Sequence, residues 1–280
     1  MVYFTPPLID LAYARAHRGL QTAETSWDAV LYQFIKEASA DFQTGLNRVC
    51  APYTATQTMG INSCFGRMLD VDREADDLLA VTTLTNGDGS VLGASTYSLR
   101  PYNVYPKATI ALEQSSGAFW SFPYTDSRIT LAGTWGYVPH WGSHLSASGA
   151  VIPVGNLSDS ATSVTLASGG GAFSVGDLIV VDSEWMLVTG VSSNTLTLVR
   201  AQLGTTAAAH TSGAAIYLYT VVDDIRFAVR EMVVYYYKTK DQIGARVTVF
   251  DGGAVQVQDI DPAVDRIRKR HKRVPHILAV

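Results

Sequence analysis

The chain has 280 residues, 47% of them hydrophobic and 16% charged, with 21 Lys and Arg against 25 Asp and Glu for a net charge of −4. That length has room for two ordinary domains, the apolar content supports real cores, and the low charge excludes a disordered chain. The acidic balance argues against a general nucleic-acid binder, so any such contact should be local.

Taken in chain order, the first strong pattern is a helix from about Trp27 to Val49. Trp27, Val30, Leu31, Phe34, Ile35, Ala38, Phe42, Leu46 and Val49 step by three and four, the spacing of one buried helical stripe. Thr25 with Asp28 suggests an N-cap pairing, and Pro52 stops the pattern. From Leu78 the period drops to two: Leu78–Leu84 is followed by Asn86-Gly87-Asp88-Gly89, a hairpin signal. Tyr97–Leu99, Thr109–Leu112 and Ile129–Leu131 continue it, with Ile129, Leu131, Gly133, Trp135 and Tyr137 on one face.

Between about Ser148 and Tyr219 the texture changes again, to Val, Thr, Ser and Gly with no lysine and one arginine, Arg200. Strands are predicted at Ser163–Leu166, Asp177–Asp182, Trp185–Val191, Thr195–Arg200 and Ala215–Tyr219. Five short strands at close spacing read as a small sandwich or barrel. A second helix follows, with Asp223 and Asp224 at its start, Lys238 and Lys240 at its end, and Ile225, Ala228, Val229, Met232, Val233 and Tyr236 on its buried face. Gly244 is a natural C-cap. Arg246–Phe250 and Ala254–Val257 then alternate like a hairpin, and a short basic helix is expected from Ala263.

The C-terminus is the most unusual part. Arg266, Arg268, Lys269, Arg270, Lys272 and Arg273 fall within eight positions, the last fifteen residues hold no acid, and the chain closes on Ile277, Leu278 and Val280. Removing those six bases leaves 15 against 25 acids, so the remainder is ten charges negative. A cationic, apolar-tipped tail on an acidic body reads as an arm made for another molecule. From Gly244 it would span up to about 120 Å if fully extended.

The expected fold is therefore α+β. Residues 1–147 and 220–243 form a helical core with β-hairpins, residues 148–219 an inserted small all-β domain facing outward, and residues 244–280 an extended C-terminal arm.

Catalytic and metal constellations are weak. His140 and His144 have an i, i+4 spacing, but Pro139 and Gly142 oppose a helix there. Asp70, Asp72, Glu74, Asp76 and Asp77 resemble a calcium loop only superficially, because its glycine and glutamate positions hold Ala75 and Val81, leaving a solvated acidic turn. Gly169-Gly170-Gly171 lacks the following Gly-Lys of a phosphate loop. Glu184, Arg200 and His210 are expected to hold turns of the inserted module rather than to react. No cofactor, metal or catalytic set is expected, and Cys50 and Cys64 are expected as free thiols. MVYFTPPLID lacks the layout of a signal peptide and no run of about 18 apolar residues occurs, so a soluble protein made in the cytoplasm, without a membrane, is expected.

The order of parts resembles the head-to-tail adaptor (connector) proteins of long-tailed bacteriophages. The matching stretches are the Trp27–Val49 helix, Arg67-Met68-Leu69-Asp70-Val71, the Leu78–Leu84 strand, Tyr97-Ser98-Leu99-Arg100-Pro101, the run from Arg128 to Pro139, and Asp223-Asp224-Ile225-Arg226-Phe227-Ala228. They cover roughly residues 25–139 and 222–275, and about 80 residues intervene where the family passes almost directly into the second helix.

This resemblance implies a ring, usually of twelve subunits, in the virion neck beneath the portal protein. It implies a stopper or tail-completion protein on the far face and double-stranded DNA passing through without sequence-specific contact. The C-terminal segment would enter the portal, which assigns Arg266, Arg268, Lys269, Arg270, Lys272, Arg273, Ile277 and Leu278 to portal binding. Three consecutive tyrosines spread over roughly 200° of a helix, which assigns Tyr235 and Tyr237 to a subunit interface. The alternative is a virion-surface module that recognises a host glycan or protein through the inserted β domain.

Overall fold

A computed structural model describes residues 5–17, 20, 25–124, 127–155, 157–240 and 260–273. Four α-helices occur among them: α1 (Leu11–Arg15), α2 (Asp28–Leu46), α3 (Asp223–Thr239) and α4 (Pro262–His271). The strands are β1 (Tyr53–Met59), β2 (Cys64–Phe65), β3 (Met68–Asp70), β4 (Leu78–Thr85), β5 (Val91–Leu92), β6 (Tyr97–Arg100) and β7 (Thr109–Leu112). They continue with β8 (Ile129–Trp135), β9 (Leu145–Val151), β10 (Ser163–Thr165), β11 (Leu178–Val181), β12 (Glu184–Ser192), β13 (Thr195–Gln202) and β14 (Ala215–Tyr219).

The expected helical adaptor core is overturned. The described chain is mostly β, with 14 strands in three antiparallel sheets and four helices, most of them short. The stretch between α2 and α3, read as hairpins attached to helices, builds a core of its own. Its first sheet runs β1-β8-β4-β5 and its second β2-β3-β7-β6. Ile129, Leu131 and Trp135 alternate inward along β8, as their period-two spacing predicts, and meet Met59, Leu84, Leu69 and Ile110 without help from a helix. The Trp135 indole N–H donates to the Ala55 carbonyl at 2.9 Å, which satisfies the polar edge of the largest buried side chain.

The helices form a separate layer. Leu31, Ile35, Ala38, Phe42 and Leu46 of α2 pack on Ile225, Ala228, Val229, Met232 and Val233 of α3, all members of the predicted stripes, whereas Trp27, expected on the same buried face, is 40% exposed and Val49 lies past the helix end. The start of α2 differs from expectation: Trp27 occupies the N-cap without a side-chain hydrogen bond, and Asp28 instead pairs with Arg15. Its end comes at Leu46, before Pro52, because Asn47 turns left-handed at φ 54°.

The inserted module has six strands in the order β10-β13-β12-β11-β14-β9, beginning at Leu145 rather than Ser148. It does not simply face outward. One face, with Ile179, Val181, Met186, Val188, Leu196, Leu198 and Ile216, is the module's own core. The other, with Leu178, Val180, Trp185, Leu187 and Leu203, packs on Ala51 and Tyr53 at the end of the α2–β1 connection. Every residue of β11 is consequently buried, the signature of a strand covered on both sides.

Polar bonds seal the junction: Thr54 N–H donates to the Leu203 carbonyl at 2.8 Å, and the Tyr219 hydroxyl to the Cys50 carbonyl at 2.7 Å. Gly204, at φ +78°, leaves room there for the Thr54 carbonyl, which a Cβ would approach to 2.1 Å. On the other flank Leu11 N–H donates to the Val175 carbonyl at 2.9 Å.

The C-terminal region also departs from an extended arm. Residues 262–271 form α4, which lies back on the helical layer with Val264 and Ile267 inside its core. The expected hairpin at Arg246–Phe250 and Ala254–Val257, and the terminal Ile277 and Leu278, lie outside the described residues. No helix among the described residues is long and apolar enough to cross a membrane.

Candidate functional site: the basic C-terminal helix and its acidic seat

The sequence of α4 fixes two faces. Val264, Ile267 and His271 recur at the spacing of one helical stripe and are buried, while Asp265, Arg266, Lys269 and Arg270 lie on the exposed side. Pro262 sits in the first turn, where no N–H is lost, and the Asp261 side chain accepts from Ala263 N–H at 2.7 Å. Burying Val264 and Ile267 contributes roughly 1.5–3 kcal/mol each, enough to seat a short helix that would be marginal alone.

The six basic residues divide into two groups. Arg268 crosses α2 at Gly45, where a Cβ would stand 2.8 Å from its Nε, and reaches Asp41 at 3.3 Å. Arg270 lies 3.3 Å from Asp224. Arg273 approaches Asp76 at 3.4 Å and Asp72 at 3.6 Å, and donates to the Asp72 carbonyl at 3.0 Å and to the Ala75 carbonyl. Its own N–H donates to the Leu46 carbonyl at 2.9 Å, satisfying an open carbonyl at the end of α2. Arg266, Lys269 and Lys272 are exposed.

His271 and Asp77 complete the seat. The His271 ring lies between the Tyr137 hydroxyl, 2.8 Å from Nδ1, and Asp224, 2.7 Å from Nε2. Arg48 stacks over the Tyr137 ring at 4.2 Å and pairs with Asp77 at 3.1 Å. Burial pushes the Asp77 carboxyl up to about 6; Arg48 and Arg273 oppose that rise, while Asp72 and Asp76 add to it. The acidic turn is thus no solvated loop: it holds the C-terminal segment against the first sheet.

Sequence reasoning found the bases and missed their counterparts. Asp41, Asp72, Asp76 and Asp224 are up to 227 positions away in the chain, and the ten-charge imbalance between body and tail was the one signal that pointed to them. Tyr235 and Tyr237 are partly buried in this chain. Tyr235 lies against Tyr236, with ring centroids 6.0 Å apart, and Tyr237 packs edge-on to Trp27 at 6.4 Å with Lys240 4.5 Å over its ring.

In the inserted module Glu184, Arg200 and His210 do come together. Arg200 binds both Glu184 oxygens, at 2.8 and 2.7 Å, and donates to the carbonyls of Ser158, Ala161 and Ala208. Ala201 N–H and Ala208 N–H donate to the same carboxylate at 3.0 and 2.9 Å, and His210 joins it at 3.0 Å while its other nitrogen meets Asp182 at 2.7 Å. Burial alone would raise the Glu184 carboxyl, but these donors outweigh it and hold it at about 2. A carboxylate with that many partners staples loops and has no lone pair left to act as a base.

His140 and His144 do not converge. His144 stacks on Trp141 with ring centroids 4.1 Å apart, and His140 lies 3.3 Å from the Thr220 carbonyl. Burial raises both cysteine thiols, that of Cys64 to about 12. Among the described residues no group of three His, Cys, Asp or Glu side chains forms a metal-holding cluster. No protein-family model and no curated protein matches this chain.

Proposed function

We propose that this chain is a structural, non-enzymatic subunit of a tailed-phage neck, a head-to-tail adaptor that forms a ring beneath the portal protein. Genomic DNA passes through that ring, and a stopper or tail-completion protein attaches on its far side. The order of motifs in the sequence supports the reading, without the helical core first expected. The observation that carries it is the split of the basic residues. Arg268, Arg270 and Arg273 fix α4 to the body, which leaves Arg266, Lys269 and Lys272 as a preformed cationic face for portal carboxylates. An acidic body suits the wall of a DNA channel, since like charge keeps the duplex from adhering.

The test is portal binding by a chain with Arg266→Glu, Lys269→Glu and Lys272→Glu, none of which touches the seat. Affinity for isolated portal rings should fall at least tenfold; unchanged affinity would overturn the assignment. A parallel measurement with duplex DNA separates phosphate from carboxylate as the target. The glycan alternative has less behind it, because Tyr217, 39% exposed, is the one exposed aromatic side chain among the described residues of the inserted module.

A further inference from the structure

Eight of the thirteen exposed large apolar side chains among the described residues lie between Ile61 and Tyr124, the stretch that contains the second sheet. Cys64, Leu69, Ile110 and Leu99 line up across β2, β3, β7 and β6 and turn into the core. The alternate row, Phe65, Met68, Ala111 and Ser98, faces the other way; Phe65 and Met68 are exposed there, while Ser98 is half-buried and Ala111 is covered by its own chain. Tyr102 extends that row, its hydroxyl 3.4 Å from the Ser98 hydroxyl.

Phe65 is 57% exposed, Met68 42%, Tyr102 60% and Phe119 68%. Arginines frame the row: Arg73 stands 5.4 Å over Phe65, Arg67 5.1 Å over Phe119 and Arg100 5.5 Å over Tyr102. Aromatic, methionine and arginine side chains together are the composition of a protein interface.

The complementary surface is on the same chain. Of the four acids in residues 145–219, Glu184 is buried against Arg200 and Asp177 is only partly accessible, which leaves the Asp159 and Asp182 carboxylates at the surface. The cage around Glu184 draws the Ser158 carbonyl and the Asp182 carboxylate to one end of the module, where Asp159 is exposed and the Asp182 side chain is 61% exposed. Two different, complementary patches on one chain make a head-to-tail contact, the kind that closes into a ring.

We propose that the arginine-framed aromatic face of the second sheet docks on the acidic end of the inserted sheet in a second copy of this chain. This rests on the ring reading above and gives it an interface.

The test uses two full-length variants. One carries Phe65→Ser with Phe119→Ser. The other carries Asp159→Lys with Asp182→Asn, the asparagine keeping an oxygen for His210 and tolerating the positive φ of 52° at that site. Sedimentation velocity should show wild type as an oligomer and each variant alone as a monomer. Mixed one to one, the variants should stop at dimers, since one intact face meets one intact acidic end.

Assembly of either variant like wild type, a mixture that stays monomeric, or a wild type that is monomeric at every concentration overturns the contact. Should the serine variant melt far below wild type, Arg73→Glu with Arg100→Glu replaces it. Portal binding through α4, which both variants retain, is measured alongside. A ring indifferent to these changes therefore overturns this contact and leaves the neck reading standing.

Discussion

His271 reaches back across 47 positions to place its Nε2 2.7 Å from Asp224 at the start of α3, and this contact closes the C-terminal segment over the helical layer. His271→Ala removes both the Asp224 and the Tyr137 partners and leaves a half-buried hydroxyl unpaired. A loss of about 1–3 kcal/mol in the docking of α4 is expected. Amide exchange over residues 262–273 should accelerate while that of β8 stays unchanged; equal protection in both would contradict the arrangement.

A pH effect follows from Asp177. Burial first, and then the nearby Asp10 carboxylate, raise its carboxyl to about 7, with the Ser174 N–H and Arg226 acting the other way. A folded value above the ordinary 3.8 means that the folded protein holds a proton the unfolded chain has released. The contribution of this site is complete below pH 4 and is lost as pH rises toward 7. Asp177→Asn keeps an acceptor for Ser174 and should flatten that decline, with a gain at pH 8 of at most about 4 kcal/mol. Thermal melting of both chains across this window measures it, and parallel curves would refute the assignment.

Glu184 behaves in the opposite sense. Its lowered carboxyl stabilises the fold above pH 4.5, an effect lost as pH falls through about 2. Glu184→Gln strands Arg200 in a nearly closed site and should cost roughly 3–5 kcal/mol, read as a lower urea midpoint. A double change of Glu184→Leu with Arg200→Met should recover part of that loss, because no lone buried charge remains.

Gly204→Ala tests the junction between the inserted sheet and β1. The residue combines a φ of +78° with a carbonyl where the Cβ would go, so a loss of at least about 2 kcal/mol is expected. Gly213→Ala, at φ +89° with open space around it, should cost only about 1 kcal/mol. Similar midpoints for the two variants would show that the close approach does not matter.

Much of the local structure was legible in the sequence. The stripes of α2 and α3 and the alternation along β8 name the centres of their buried faces, because a one-dimensional period maps directly onto one face, but not the edges: Trp27 is exposed and Tyr137 and Tyr236 are half-buried. What failed was assembly. Leu145–Val151 joins the inserted sheet as β9 through backbone pairing with β14, and its run of Ser, Ala and Gly gives no apolar alternation to read. The continuous burial of Leu178–Val181 was visible as an apolar run, yet a run alone does not say what lies on its second side. The basic cluster was read as a free arm because its partners, Asp72, Asp76 and Asp224, belong to elements with no periodic link to the C-terminus.

The two-sided burial of β11 has a consequence for chain architecture. A true graft can be excised by rejoining its ends, but removing residues 145–219 would strip Ala51 and Tyr53 of their cover and leave the Cys50 carbonyl without its donor. Such a deletion should yield insoluble protein, so the six-stranded sheet is a structural dependency of the rest of the chain.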